Sequence, residues 1–295
     1  MRPAPAVFLL FRRRTSQHLR ANIVSILTKW LMGALLALVL LRALAWWLQP
    51  RMAFYPRRGP TPPPAPFAGF EVTTADGVFL KGWTMPSNET SPVIIYFCGN
   101  AGNLSDRADL LSGFAGKGVT LVAFNYRGMG QSSGSPTEEG VYRDATAIYR
   151  YVTETLDVNP GRVVLWGHSI GGAVAAWLAT QKPCAGLILE STFRSAKVMA
   201  RRMLPVIPVS LFLTYRFDNE GLIAKLTVPT FLIHGAADDI VPAKDGQFLF
   251  ALANQPKEFW LLPQGGHNDL YQVAGTTFYN RIVEFSDRVS GRSSP

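Results

Sequence analysis

The first 58 residues of this 295-residue chain contain no aspartate or glutamate, although they hold ten arginines and lysines. The rest of the chain has 19 of the 29 basic residues and all 20 acidic ones, so the net charge of +9 belongs to one end. That placement argues against nucleic acid as a partner, since such a surface needs basic residues spread over a folded face. There are only two cysteines, Cys98 and Cys184, too few for a disulfide framework and without metal-ligand spacing. Both read as small core residues. No G-x-G-x-x-G fingerprint occurs, and "GFAGKG" lacks the Ser or Thr of a phosphate loop, so neither metal nor organic cofactor is implied. Histidine is scarce, at four, and no internal repeat is visible.

What the acid-free end does contain is an apolar run. Trp30 to Leu41 is twelve residues without a charge, and the pattern continues through Arg42 to Leu48. Its nine Leu and Val contribute about −0.5 kcal/mol each on an insertion scale, which outweighs a penalty of about +3 for Arg42. Trp30 and the Trp46-Trp47 pair stand about 24 Å apart along a helix, close to the separation of two interfacial aromatic belts. Arg2, Arg12, Arg13, Arg14, Arg20 and Lys29 precede the run and Arg51, Arg57 and Arg58 follow it. This bias predicts a cytoplasmic N-terminus and an exported domain, periplasmic in a bacterium.

The expected organisation is a basic stretch over 1–22, a transmembrane signal-anchor helix over 23–49, a linker over 50–69 and a folded domain over 70–295. The alternative is a secreted protein cleaved near Ala45, because Ala43-Leu44-Ala45 has the small-x-small form of a signal-peptide site. "YPRRGPTPPPAPF", with six prolines between 56 and 66, reads either as an extended spacer or as a loop wrapped on the domain surface.

From Phe70 onward short β runs alternate with helical stretches. "FEVTT" and "VFLKGWTM" flank Asp76-Gly77, a two-residue hairpin signal. "VIIYFC", "TLVAFN", "VVLW", "LILE", "TFLIHG" and "EFWLL" follow, most of them continuous apolar runs, as strands buried on both faces are. Helices are expected at 104–117, 138–156, 171–181, 243–254 and 270–289. Two antiparallel strands followed by βα units predict a mostly parallel eight-stranded sheet with helices on both faces.

Ligands of such sheets bind at the carboxyl ends of the strands. After "VVLW" comes Gly-His-Ser-Ile-Gly, a G-x-S-x-G turn between strand and helix, in which glycines leave Ser169 exposed at a sharp bend. A serine nucleophile needs a base. His18 precedes the apolar run, His168 sits in the turn and His234 ends a strand, which leaves His267 in "PQGGHNDLY" after the last strand. The orienting acid should come from "IHGAADDIVP", where the residues leave both Asp238 and Asp239 open. Two backbone amides should hold the oxyanion: Ile170, after the nucleophile, and Asn100 in "CGNAGN", with Ala101 as the alternative.

Together, "GHSIGG", "HGAADDIVP", "GGHND", "YRGMGQSSG" and "GNAGN" resemble the α/β-hydrolase superfamily, in its membrane-anchored, small-lid branch. That branch is similar to serine aminopeptidases and includes protein depalmitoylases and lysophospholipase-like enzymes. The resemblance covers about Met52 to Val289. It implies an α/β-hydrolase fold, puts the acid on Asp238 and sets the oxyanion pattern on residues 98–103, where Cys98 stands in place of the usual histidine. The stretch 192–226 leaves the strand-helix rhythm and is expected to form a small lid whose apolar "MLPVIPVSLFL" either packs on the domain or meets an acyl chain or membrane.

The expected activity is a serine hydrolase acting on an acyl ester or thioester, lipid-like in view of the tether, through Ser169, His267 and Asp238. Peptidase activity and a non-catalytic membrane-bound scaffold are the alternatives, and no oligomeric state is assigned. For the tether, carbonate washing should leave the chain in the membrane pellet with its basic terminus intact. A released chain that starts at Trp46 would establish the cleaved form instead.

Overall fold

The computed structural model describes residues 6–292, with side chains described from residue 22. Arg2 therefore lies outside the described residues, as do the side chains of Arg12, Arg13, Arg14, His18 and Arg20. Two compact units are present, Met1–Leu48 and Gln49–Pro295. The first is formed by helix α1, which runs Ala6–Ala53 in full. Its Asn22–Ala53 stretch is long and apolar enough to cross a membrane, with a mean hydropathy of 2.2 over an 18-residue window.

In the second unit the apolar runs form eight strands: β1 (Ala68–Thr73), β2 (Phe79–Met85), β3 (Val93–Phe97), β4 (Thr120–Phe124), β5 (Val163–His168), β6 (Gly186–Glu190), β7 (Thr230–Gly235) and β8 (Lys257–Leu262). They make one sheet in the order β8-β7-β6-β5-β3-β4-β2-β1. Only the β1–β2 and β2–β4 pairings are antiparallel. The order reverses at β3 and β5, and it is there that parallel sheets of this kind open a crevice at their carboxyl edge.

The helices are α2 (Ala108–Ser112), α3 (Glu138–Arg150), α4 (Ile170–Gln181), α5 (Ala196–Met203), α6 (Asn219–Ile223), α7 (Ala243–Leu252), α8 (Leu270–Ala274) and α9 (Thr276–Val289). Helices α3, α4, α6 and α7 pack in succession. A separate group forms where α9 meets the segment around α2, with Phe114 against Tyr279 at 5.0 Å and against Trp166 of β5 at 5.5 Å. Every residue of β3, β5, β6 and β7 is buried. Successive side chains of a strand point to opposite faces, so both faces of the sheet are covered.

Three sequence expectations are modified. The stretch 270–289 is split at Gly275, whose φ of +53° no regular helix accommodates. The stretch 104–117 shrinks to one 3₁₀ turn plus α2. The turn at Asp76-Gly77 is longer than two residues, because Thr74 bonds both the Asp76 carboxylate and the Val78 amide.

Of the two readings of the proline-rich stretch, the contacts favour a loop wrapped on the domain. Phe54, Thr61 and Phe67 are buried. The Trp83 indole donates to the Thr61 carbonyl at 2.9 Å, and the Asn125 amide donates to the Thr61 hydroxyl at 3.0 Å. The folded unit accordingly starts at Gln49 rather than at residue 70.

The "YRGMGQSSG" stretch has a structural task. Arg127 donates from Nε to Asp144 at 2.8 Å and from Nη1 to Asp76 at 2.9 Å, with its own backbone amide also on Asp144. Burial pushes the Asp144 carboxyl up to about 6 even with this cation beside it. Asp76, which is less buried, is held well below the usual carboxylate range, chiefly by its hydrogen bond from Arg127. The cation thus joins the β1–β2 hairpin to α3. Removing one partner of a buried ion pair costs about 3–5 kcal/mol. Arg127→Met should therefore lower the thermal midpoint of the detergent-solubilised chain by about 2–4 °C per kcal/mol lost. An unchanged melting curve by circular dichroism would show that the network is dispensable.

Candidate active site

Between the end of β5 at His168 and the start of α4 at Ile170 there is one residue, Ser169. Its φ of +56° and ψ of −119° are strained for a residue with a side chain. The glycines around it show why the bend is so sharp. A Cβ at Gly167 would lie 2.2 Å from the Gly171 carbonyl, and one at Gly171 would lie 2.1 Å from that of Phe97. Strand and helix cross backbone against backbone. Two hydrogen bonds hold the strained peptide: Ser169 N–H donates to the Glu190 carbonyl at 2.9 Å, and the Thr192 hydroxyl donates to the Ser169 carbonyl at 2.6 Å. As the first residue of α4, Ile170 carries an N–H that the helix itself cannot satisfy.

The loops after β7 and β8 bring Asp238 and His267 together. His267 Nδ1–H donates to Asp238 Oδ2 at 2.8 Å, and both residues are buried. Asp239 is exposed. The other Asp238 oxygen accepts the amides of Ile240 at 3.0 Å and Val241 at 2.7 Å. Burial alone would raise the Asp238 carboxyl. Hydrogen bonds from His234 and His267 and the Val241 amide outweigh it and hold the group well below its ordinary value. Asp238 is thus an anion at neutral pH.

Two further histidines complete the arrangement, and sequence reasoning gave neither a role. His234, four residues before Asp238, donates from Nε2 to the Val241 carbonyl at 2.8 Å and lies 3.4 Å from Asp238 Oδ2. His168 Nε2–H donates to the His267 carbonyl at 2.9 Å. A carbonyl can only accept, so this bond fixes the His168 tautomer with a bare Nδ1. Burial, then the charge of Arg107, push the His168 imidazole well below its ordinary pKa, so it is neutral. The bond ties the His267 backbone to the residue preceding Ser169. The Ser169 hydroxyl itself makes no hydrogen bond to His267 among the described residues. The signal for His234 was present in the spacing of "HGAAD".

The loop 98–103 passes directly beside the serine, since a Cβ at Gly99 would be 3.7 Å from Ser169 Cβ. Asn100 follows it. The Asn100 side chain donates to the Ala53 carbonyl at 2.8 Å, and its carbonyl accepts the Tyr55 amide at 2.9 Å. Tyr55 and Pro56 pair in register with Ala101 and Gly102. Ala101 is exposed. Cys98 is buried, and burial pushes its thiol up to about 11, so it is an inert packing group. A groove of about 720 Å³ lies elsewhere, between β1 and α3, walled by residues such as Tyr142, Arg143, Tyr151 and Trp177. None of Ser169, Asp238 or His267 lines it.

This strand order, with a strained serine where the central strand turns into a helix, defines an α/β-hydrolase fold. The chain belongs to the α/β-hydrolase family, whose profile matches residues 92–218. It is 36% identical over 246 residues to the uncharacterized protein Rv2307c of Mycobacterium tuberculosis, covering 81% of this chain and 88% of that one. The uncharacterized protein YfhR of Escherichia coli K12 is 35% identical over 257 residues, covering 81% and 89%. Among solved structures, the Pyrococcus furiosus esterase Pf2001 superposes with a TM-score of 0.67 at 22% identity, over 80% of this chain and all of that one. At that identity the likeness is one of fold.

Beneath the turn lies Glu190, fully buried, whose Oε2 accepts the Trp166 indole N–H at 2.9 Å. Burial pushes its carboxyl up to about 7, against the pull of Trp166, Arg107 and His234. With the folded value above the unfolded one, its contribution to stability is present at low pH and is lost as the pH rises to about 7. Glu190→Gln keeps an acceptor for Trp166 and removes the charge. The variant should melt above the parent near about pH 8, and the gap should close near about pH 5. A gap independent of pH would contradict this.

Proposed function

We propose that the protein is a membrane-tethered serine hydrolase that cleaves an acyl ester or thioester through an acyl-enzyme. The observation that carries the reading is the 2.8 Å bond from His267 to the Asp238 anion, on loops tied by His168 to the Ser169 turn. Because Nδ1 holds the proton shared with Asp238, Nε2 of His267 is the bare nitrogen that serves as base. Ser169 Oγ attacks the carbonyl carbon while His267 Nε2 takes its proton, and Asp238 stabilises the imidazolium. The amides of Ile170 and Asn100 receive the negative charge on the carbonyl oxygen. Collapse breaks the bond to the leaving alcohol or thiol, which takes the proton from His267. Water then attacks the Ser169 ester with the same base, releasing the acid and restoring the hydroxyl.

The missing Ser169–His267 bond is compatible with this chemistry, since such bonds often tighten only when substrate is present. That the Pyrococcus furiosus neighbour is an esterase supports the ester reading. The apolar Asn22–Ala53 stretch supports the tether, and the basic residues before it support an exported catalytic domain.

A fluorophosphonate probe should label the wild-type chain and fail to label Ser169→Ala. Asp238→Asn should keep the fold yet lower turnover of a nitrophenyl ester by about 10⁴-fold. Absence of labelling on the folded wild-type protein would remove the hydrolase reading.

A further inference from the structure

The lid between β6 and β7 is only partly packed. Val209 and Phe217 are buried, but Met203, Val206 and Ile207 expose 68, 92 and 44% of their surface. Isolated apolar side chains in water are ordinary, whereas three within five residues make a patch of the kind that marks an interaction surface. The segment that carries it has charge of one sign. From Arg194 to Arg216 the chain holds five basic residues and no acidic one. Arg194 and Arg202 are engaged by Glu220 and Asp245, while Lys197, Arg201 and Arg216 are exposed. An exposed apolar tip on a segment whose exposed charges are all cationic matches the interface of an anionic bilayer, where apolar groups enter the acyl boundary and cations meet the headgroups.

The same lid is fastened to the start of its own domain. Gln49 is buried; its Oε1 accepts Thr214 N–H at 2.7 Å, the Thr214 hydroxyl at 3.0 Å and Tyr215 N–H at 3.2 Å. Its Nε2 donates to the Phe212 carbonyl at 3.2 Å. From the other side Glu138 accepts the amides of Arg216 at 2.7 Å and Phe217 at 2.6 Å. Trp46, at the end of the apolar run, precedes Gln49 by three residues, a chain length that reaches at most about 11 Å. If the apolar run spans a bilayer, the Phe212–Tyr215 segment stays close to the membrane surface whatever the direction in which the run leaves.

We propose that the lid tip, Met203, Val206 and Ile207, docks into the surface of the anionic bilayer that holds the chain, with Lys197, Arg201 and Arg216 on the headgroups. This rests on the membrane reading of the apolar run and not on the hydrolase chemistry. The lid then stands between lipid and the Ser169 turn, so that acyl substrates carried in the bilayer reach the site without crossing water.

The test uses the full-length chain reconstituted in vesicles of phosphatidylcholine and phosphatidylglycerol. An environment-sensitive fluorophore is attached at Val206→Cys in a Cys184→Ser background, with Glu154→Cys as the control position. The probe at 206 should emit to the blue of the control and be quenched by lipids spin-labelled on the acyl chain. Equal emission and no quenching at 206 would overturn the proposal. In a second arm, Val206→Ser with Ile207→Ser should lower turnover of a long-chain ester held in the vesicles by about tenfold and leave a short water-soluble ester within about twofold. Equal effects on the two esters would also count against docking. Inactivity of the wild type on both esters would remove the hydrolase reading alone, because the quenching arm reads the lid without any catalysis.

Discussion

The backbone contact between β5 and the first turn of α4 is the constraint on which the rest of the site depends. With the carbonyls of Phe97 and Gly171 sitting where side chains would otherwise project, only glycine fits at 167 and 171. The residue between them is forced into a backbone conformation that side chains ordinarily avoid. Its hydroxyl does not fold back to cap the helix, and the residue is buried rather than exposed as the glycine-flanked turn had suggested. Strain of this kind persists only where the surroundings over-determine it. Here Glu190, from the neighbouring strand, and Thr192, at the base of the lid, grip the peptide from two sides.

From that fixed point the remaining groups are placed by short-range bonds between loops. His168 reaches from the turn to the His267 backbone, His267 reaches Asp238, and His234 and two loop amides hold Asp238 in turn. Three of the four histidines in the chain are thus committed to one connected network, each with a tautomer set by a neighbouring oxygen. Such a network fixes the orientation of the His267 ring against Asp238 and has settled the carboxylate's charge before any ligand arrives.

Much of this was legible in the sequence because strands buried on both faces leave continuous apolar runs, and the polar residues that follow them fall at one edge. The glycine spacing around Ser169 was legible because strand and helix backbones there come too close for a Cβ. Other features depend on how loops meet. Asp238 and Asp239 are chemically alike, and only the fold buries the first and leaves the second in solvent. His234 looked like a strand terminus because its partner lies four residues on, around a bend rather than along a helix. The role of Arg127 needed the hairpin and α3 brought to the same place. The lid helices α5 and α6 are only eight and five residues long, too short for periodicity to mark them, and the proline-rich stretch reads identically whether it hangs free or lies on a surface.

That stretch begins with residues that also buttress the loop over the serine. Ala53 and Tyr55 bond to Asn100, Arg57 N–H donates to the Gly102 carbonyl, and the Arg57 guanidinium bridges Asp106 at 2.6 Å and Asn103 at 3.1 Å. Proteolytic severance near Ala45 would spare every one of these struts. Trimming beyond Arg57 would free the same domain but leave the loop beside Ser169 unbraced, so where the chain is cut decides whether a shed form keeps residues 98–103 rigid.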